Sequence, residues 1–246
     1  DWSSDVCSSD SLDRQKAGEK ARGVQLIWIA PIRALTKEIQ GSAERLLTGV
    51  GLDWNVAIRT GDTSSAEKSK QRNQLPEVLI TTPESLHVLL AMKGAGDRLK
   101  SLKLLVVDEW HELMGTKRGT QVELASAWLR QSAESYRCWG ISATIGNLEE
   151  ALTVLLGPGR NGRLIRSDLP KRTEVKSLMP GKFDRLPWAG HIGVTLAHQV
   201  VEVILAHQST LIFTNTRAQS EIWYHKLLDV APELSGVLAL HHSAIA

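Results

Sequence analysis

The stretch LLVVDEWHEL, residues 104–113, decides the fold prediction, because an apolar run passes directly into an acidic pair. A short apolar run of this kind is typical of a strand that is buried on both faces of a parallel sheet. The carboxyl ends of parallel strands line the ligand crevice, so we expect Asp108 and Glu109 to face it. Asp108 suits Mg²⁺, a hard cation that prefers carboxylate oxygen, and Glu109 could polarise a water that attacks a phosphate. The alternative is a solvated strand end whose acidic pair arose by chance.

Short apolar runs alternate with longer segments of helical period from Val24 onward, which is the pattern of strands separated by crossover helices. The apolar runs lie at residues 24–30, 54–60, 77–81, 102–107 and 137–142. The helical periods lie at residues 33–47, 63–73, 84–92, 120–131 and 148–156. The sequence therefore predicts an α/β fold with a parallel sheet and flanking helices.

A boundary is predicted after Gly157, because residues 157–191 hold most of the glycine and proline of the second half. Beyond it, helical periods at residues 193–206 and 217–228 and apolar runs at 211–215 and 236–240 predict the start of a second α/β unit. Residues 1–10, DWSSDVCSSD, have no period of either kind and resemble translated sequencing-adapter DNA. We interpret residues 1–23 as an artefactual or disordered segment.

Composition restricts the class of protein more than its chemistry. A net charge of +2 and 42% apolar residues are typical of a globular protein, and the mild basic excess permits a nucleic-acid partner without requiring one. No apolar run approaches the roughly 18 residues that span a bilayer, and no secretory signal begins the chain. Two distant cysteines favour neither a disulfide framework nor a zinc site, so we predict a cytoplasmic protein.

Three other motifs place polar groups where predicted strands end. WGISATIGN (139–147) brings Ser142 and Thr144 to the strand after the acidic pair. APIRAL (30–35) and TTPES (81–85) form strand-to-helix turns whose hydroxyls and backbone N–H groups suit nucleic-acid phosphates. Helix capping explains each of these motifs separately at least as well.

The order of the motifs is more specific than any one of them. IAPIRAL, RTGDTS, TTPES, VVDEWHEL, WGISATIGN and LIFTNTRAQSE follow one another as motifs Ia to IV do in superfamily 2 helicases. The wording RTGDTSSAEK, VVDEWHELMGTKRGTQVEL and IFTNTRAQSEIWY resembles the large helicase-related family, and most closely its bacterial ligase-associated DEXH-box helicases. The resemblance covers practically all of the chain from Val24 to His242.

The resemblance implies a RecA-like fold and an ATP-dependent DNA helicase that moves 3′ to 5′ on single-stranded or partly duplex DNA in DNA repair, beside a DNA ligase and a nuclease. It implies a partial ATP-binding domain at residues 24–166, a linker at 167–192 and the beginning of a second RecA-like domain at 193–246. ATP and Mg²⁺ are the implied cofactors. The implied catalytic residues are Asp108, Glu109, His111, Ser142 and Thr144, with Asp108 as the metal ligand. The implied nucleic-acid contacts are Pro31, Arg33, Thr81, Thr82, Pro83, Thr214, Asn215, Thr216 and Arg217.

The sequence departs from the family in two respects: it lacks the phosphate loop, and it ends at LHHSAIA before the family's later motifs, including the arginine that stabilises transition-state charge. No G-x-x-x-x-G-K-[ST] phosphate loop occurs, so we expect a truncated piece that hydrolyses little ATP by itself. Because the missing strand is central in the family's sheet, we also expect the isolated chain to fold poorly. The alternative function is a non-catalytic nucleic-acid-binding module. A metal site of a hydrolase at His111, Glu112, His241 and His242 is disfavoured, because the ligand spacing is poor.

Overall fold

The computed structural model of the chain describes residues 23–133, 135–143, 145–167, 172–179 and 193–241. Thr144, His242, residues 1–22 and most of the predicted linker lie outside the described residues. The chain divides after Ser167 into two compact units, and each is described by itself.

The first unit contains a five-stranded sheet in which every pairing is parallel, in the order β2-β3-β1-β4-β5. Its strands are β1 (Leu26–Ile29), β2 (Val56–Arg59), β3 (Val78–Thr81), β4 (Leu104–Val107) and β5 (Arg137–Gly140). Each lies inside one of the predicted apolar runs, so the prediction of a parallel α/β sheet is confirmed.

The helices of the first unit connect these strands, as parallel pairing requires. They are α1 (Leu35–Gly49), α2 (Ser65–Asn73), α3 (Pro83–Leu90), α4 (Ala95–Leu99), α5 (Trp110–Leu113), α6 (Lys117–Ser132) and α7 (Leu148–Leu156). The short helices α4 and α5 were not predicted, because one or two turns are too few to show a helical period.

The sheet is buried most deeply at its centre. All residues of β3 and β4 are buried, and Ile27 and Ile29 of β1 have no exposed surface. Apolar side chains of α3 and α6 pack on the same core, among them Leu86, Leu89, Val122 and Leu129. Burial of several such side chains, at about 1.5–3 kcal/mol each, stabilises the register that aligns the ends of β1, β3 and β4. The loops that follow these three strands are therefore held side by side.

The second unit has two principal helices, α8 (Ala197–Leu205) and α9 (Arg217–Val230), which bury Val201 and Leu227 between them. The predicted strands at residues 211–215 and 236–240 are wrong: neither segment forms a strand or pairs with another segment. A strand needs a hydrogen-bonded neighbour, and none is found among the described residues of this unit. Leu211 and Phe213 are accordingly more than 80% exposed.

Across the described residues, the helices are all too short or too polar to serve as membrane spans.

Candidate functional site

Asp108 lies directly after β4, where the carboxyl ends of the central strands meet. Its backbone N–H donates to the carbonyl of Ile29 at 2.9 Å, which continues the ladder between β1 and β4. Its carboxylate accepts from the Glu109 N–H at 2.9 Å through Oδ1 and from the Trp28 indole Nε1–H at 3.1 Å through Oδ2. Each oxygen keeps a further lone pair, so the group is oriented and still able to accept another ligand.

Glu109 has a backbone conformation that the sequence did not indicate. Its backbone has φ 47° and ψ 46°. Among the described residues, it is the only non-glycine residue in the left-handed region. Such a conformation costs about 1–3 kcal/mol in a residue with a side chain and persists only where its surroundings impose it. The imposing contacts are those of Trp110, which is buried and donates from its backbone N–H to Ile141 and from Nε1 to Ala151. The left-handed turn directs the chain away from β4 and leaves the Glu109 carboxylate partly exposed.

His111 links the acidic pair to the end of β5. Its Nδ1 accepts from the Ala143 N–H at 3.2 Å and lies 3.2 Å from the Ser142 hydroxyl. Because a backbone N–H can only donate, Nδ1 must carry a lone pair, and the neutral ring then carries its proton on Nε2. Glu109 Oε2 lies 3.4 Å from the same Nδ1, so this contact is not an ion pair in the neutral tautomer. Four of the predicted catalytic residues, Asp108, Glu109, His111 and Ser142, are therefore brought together, while Thr144 lies outside the described residues.

The turn after β1 presents Arg33 to solvent. Its Nη1 donates to both carboxylate oxygens of Asp62 at 3.0 and 3.1 Å, and both side chains are more than 60% exposed. An exposed pair of this kind contributes little to stability, so the guanidinium can exchange the carboxylate for another anion. Pro31, in contrast, is buried, and its backbone carbonyl is the group that makes a contact here.

The turn after β3 does not expose the residues that the resemblance implies. Thr81 has no exposed surface and donates from its hydroxyl to the carbonyl of Arg59 at 2.7 Å. Thr82 caps α3 by accepting from the Ser85 N–H, and Pro83 occupies the first turn and is buried. Thr82 thus serves as a helix cap and Thr81 bonds within the sheet, while the contact of these three residues with nucleic acid stays a prediction. The partly exposed side chain of this turn is Glu84.

Arg118, at the start of α6, joins the two turns. Its Nε and Nη2 donate to Glu84 at 2.6 and 3.3 Å, and its Nη1 donates to the Pro31 carbonyl at 2.8 Å. Burial acts to raise the pKa of Glu84. Hydrogen bonds from Arg118, from the Glu84 backbone and from Thr82 nevertheless hold that pKa below its ordinary value. The sequence did not point to Arg118 or to Trp28, since their partners lie 34, 87 and 80 residues away and no local spacing signals such contacts.

In the second unit the four predicted nucleic-acid residues lie together at the N-terminus of α9. Thr216 caps the helix by accepting from the Gln219 N–H at 3.2 Å, and the Gln219 side chain accepts from the Asn215 N–H at 3.1 Å. The Thr214 hydroxyl donates to the Thr216 carbonyl at 3.2 Å. These bonds hold a helix start that faces solvent, but they do not test the predicted contact with nucleic acid.

The described residues contain no group of three or more histidine, cysteine or acidic side chains arranged around a common point. The metal-hydrolase alternative at His111, Glu112 and His241 therefore has no support from the part of the chain that is described. A magnesium ion that keeps most of its waters requires no such group, because one or two carboxylates suffice.

Comparison with known proteins identifies the family to which the chain belongs. Residues 9–151, more than half of the chain, match the family model described as DEAD/DEAH box helicase. ATP-dependent helicase Lhr-Core protein 2 of Thermococcus barophilus is 34% identical over 248 residues, covering 94% of this chain and 28% of the relative. ATP-dependent helicase Lhr-Core of Sulfolobus acidocaldarius is 30% identical, covering 96% of this chain and 28% of the relative.

Among solved structures, helicase Lhr of Mycobacterium smegmatis bound to single-stranded DNA and AMP-PNP matches with a TM-score of 0.69 and 26% identity. The match covers 96% of this chain and 32% of that one. The chain thus spans less than a third of the length of the curated relatives named here. The similarity confirms the RecA-like fold and the resemblance to Lhr-type superfamily 2 helicases. The chain belongs to the DEAD/DEAH box helicase family.

Proposed function

We propose that the chain is part of an ATP-dependent helicase that moves 3′ to 5′ along single-stranded DNA during DNA repair. The observation that carries this proposal is the acidic pair at the end of β4, which is followed directly by a helix whose His111 contacts Ser142 and the Ala143 N–H after β5. The arrangement couples a site suited to phosphate chemistry to a neighbouring strand. Such a coupling is what a motor needs in order to convert hydrolysis into movement.

Asp108 is the residue that would hold Mg²⁺, directly or through water. Its two oxygens are fixed by Trp28 and by the Glu109 N–H, and both retain acceptor capacity. When bound, the ion neutralises charge on the phosphates of ATP. Glu109 has a partly exposed carboxylate beside Asp108, so it can contact an attacking water and accept its proton. No G-x-x-x-x-G-K-[ST] phosphate loop occurs in the 246 residues.

Single-stranded DNA is the nucleic acid that we favour. Arg33 offers an exposed guanidinium at the turn after β1, and the turn after β3 lies beside it because β1 and β3 are paired. Contacts of this type bind the phosphate backbone and do not read bases. The relative from Mycobacterium smegmatis is described as bound to single-stranded DNA, which supports the same ligand for this chain. The resemblance to ligase-associated helicases further suggests a DNA ligase and a repair nuclease as partners.

The acidic pair is tested with Glu109→Gln in the full-length protein that the gene encodes. We expect nucleotide binding to persist and DNA-stimulated phosphate release to fall by about 10³-fold, the scale typical of a lost general base. Glu149→Gln, at an exposed position in the first turn of α7, is the matched control and should release phosphate at the wild-type rate. The 246-residue chain alone should release almost none.

Two results would change the proposal. Wild-type release by Glu109→Gln would show that another group activates the water. Binding of single-stranded DNA by the full-length protein, without any hydrolysis, would favour a non-catalytic nucleic-acid-binding module instead. Strand displacement from substrates with a 3′ or a 5′ overhang measures the direction of movement.

A further inference from the structure

Three hydrogen bonds from one side chain connect elements that are far apart in sequence. Arg118 forms a two-bond fork with the Glu84 carboxylate at the start of α3 and donates its remaining Nη to the Pro31 carbonyl at the end of β1. Paired donors of this kind fix direction as well as distance, which a single charge contact does not. The turn after β1 and the turn after β3 are therefore held at a set separation by a residue that belongs to neither.

The position of Arg118 is itself fixed by α5, the short helix that directly follows the acidic pair. Thr116 caps α6 and donates from its hydroxyl to the Leu113 carbonyl at 2.6 Å. Gly119 packs so closely on the backbone of Leu113 that a Cβ atom at this position would collide with the Leu113 carbonyl oxygen. The end of α5 and the start of α6 thus form one rigid corner, and Arg118 projects from it.

We propose that Arg118 is a positioning residue that makes the turn after β1, the turn after β3 and the acidic pair move as one body. This inference rests on the function proposed above, and its ligand is the phosphate backbone of single-stranded DNA. Arg118 acts through the turns and does not bind a phosphate. Two of its N–H groups already donate to Glu84, and about two thirds of its side chain is buried. The depressed pKa of Glu84 is consistent with a carboxylate held in this contact.

Binding of a fluorescein-labelled oligothymidine of about 20 nucleotides to the full-length protein that contains this chain tests the proposal, measured by anisotropy at several salt concentrations. We expect Arg118→Ala to weaken binding about tenfold, the order of known coupling effects, with the slope of log affinity against log salt unchanged. An arginine that contacted phosphate would lower this slope by about one when replaced. Arg45→Ala, which removes the same charge from an exposed site on α1, should change affinity by less than about twofold.

Two further variants separate geometry from charge. Arg118→Lys keeps the charge but cannot form the fork, so it should lose most of the affinity that Arg118→Ala loses. Glu84→Ala removes a negative charge beside the DNA path, and electrostatics alone would therefore tighten binding; the proposal requires weaker binding. The double variant Arg118→Ala with Glu84→Ala should bind no more weakly than Arg118→Ala alone. Circular dichroism confirms that each variant is folded. If Arg118→Ala does not fold, Glu84→Ala and Arg118→Lys still test the proposal.

The outcomes distinguish this inference from the function on which it rests. If the full-length wild-type protein binds the oligonucleotide but Arg118→Lys equals wild type and Glu84→Ala binds more tightly, the positioning role is overturned and DNA binding stands. If the full-length wild-type protein is folded by circular dichroism and shows no salt-dependent binding, both the positioning role and the DNA-binding part of the proposed function are overturned.

Discussion

Two neighbouring strands, β4 and β5, run in the same direction and in continuous register, yet their surroundings differ. All four residues of β4 are buried, whereas three of the four residues of β5 are exposed, Trp139 among them at 46%. β4 is paired on both sides, and β5 is paired on one side among the described residues. The comparison shows that the backbone ladder is enough to place the end of β5 beside His111, while burial depends on the layers that cover each strand.

The largest expected difference is in the free energy of unfolding lost on truncating Leu105 or Cys138, which are register partners in β4 and β5. Leu105 has no exposed surface, so Leu105→Ala should lower the free energy of unfolding by about 3 kcal/mol through lost contacts and a cavity. Cys138→Ala should cost about 1 kcal/mol, since the thiol is small and Cys138 is only partly buried. Urea unfolding of the 246-residue chain, followed by circular dichroism, measures both values.

Equal losses in the two variants would mean that β5 is packed as tightly as β4. A chain that shows no cooperative unfolding transition at all would instead support the expectation, made from the sequence, that this length of chain folds poorly in isolation.

The strands of the first unit were predictable because each apolar run finds a partner in the same sheet. The run at residues 211–215 has the same composition but no neighbour among the described residues, so it forms no strand. Sequence patterns report which segments could pair, and the ladder itself depends on contacts that are distant along the chain.

The candidate site divides in the same way. The acidic pair was predictable because an apolar strand leads directly into it. The left-handed backbone of Glu109 and the bonds from Trp28 and Arg118 were not, since each depends on residues brought together by the sheet. Burial also changed the interpretation of Thr81, whose hydroxyl is used inside the first unit.

A smaller difference in lost stability is expected when alanine replaces either of two glycines, Gly119 beyond β4 and Gly140 in β5. A Cβ at Gly119 would meet the backbone of Leu113, which cannot move without shifting α5, so Gly119→Ala should cost about 2 kcal/mol. A Cβ at Gly140 would meet the end of the Leu155 side chain, which can adopt another rotamer, so Gly140→Ala should cost less than about 1 kcal/mol. Urea unfolding again provides the measurement. The reverse order would show that the α5–α6 corner is more compliant than the packing of α7 on β5.

The smallest expected difference concerns the helix caps that follow the two strands. Thr116 accepts from the Gly119 N–H at 3.2 Å and donates to Leu113, whereas Asn147 accepts from the Glu150 N–H at 3.2 Å at the start of α7. Either cap is worth about 1 kcal/mol on its own. Because Thr116 also fixes the corner from which Arg118 projects, Thr116→Ala should weaken binding of the labelled oligothymidine, and Asn147→Ala should not. Thr116→Ser, which keeps the hydroxyl, should restore binding; if it does not, the cap has no part in placing Arg118, and the rigid corner depends on Gly119 alone.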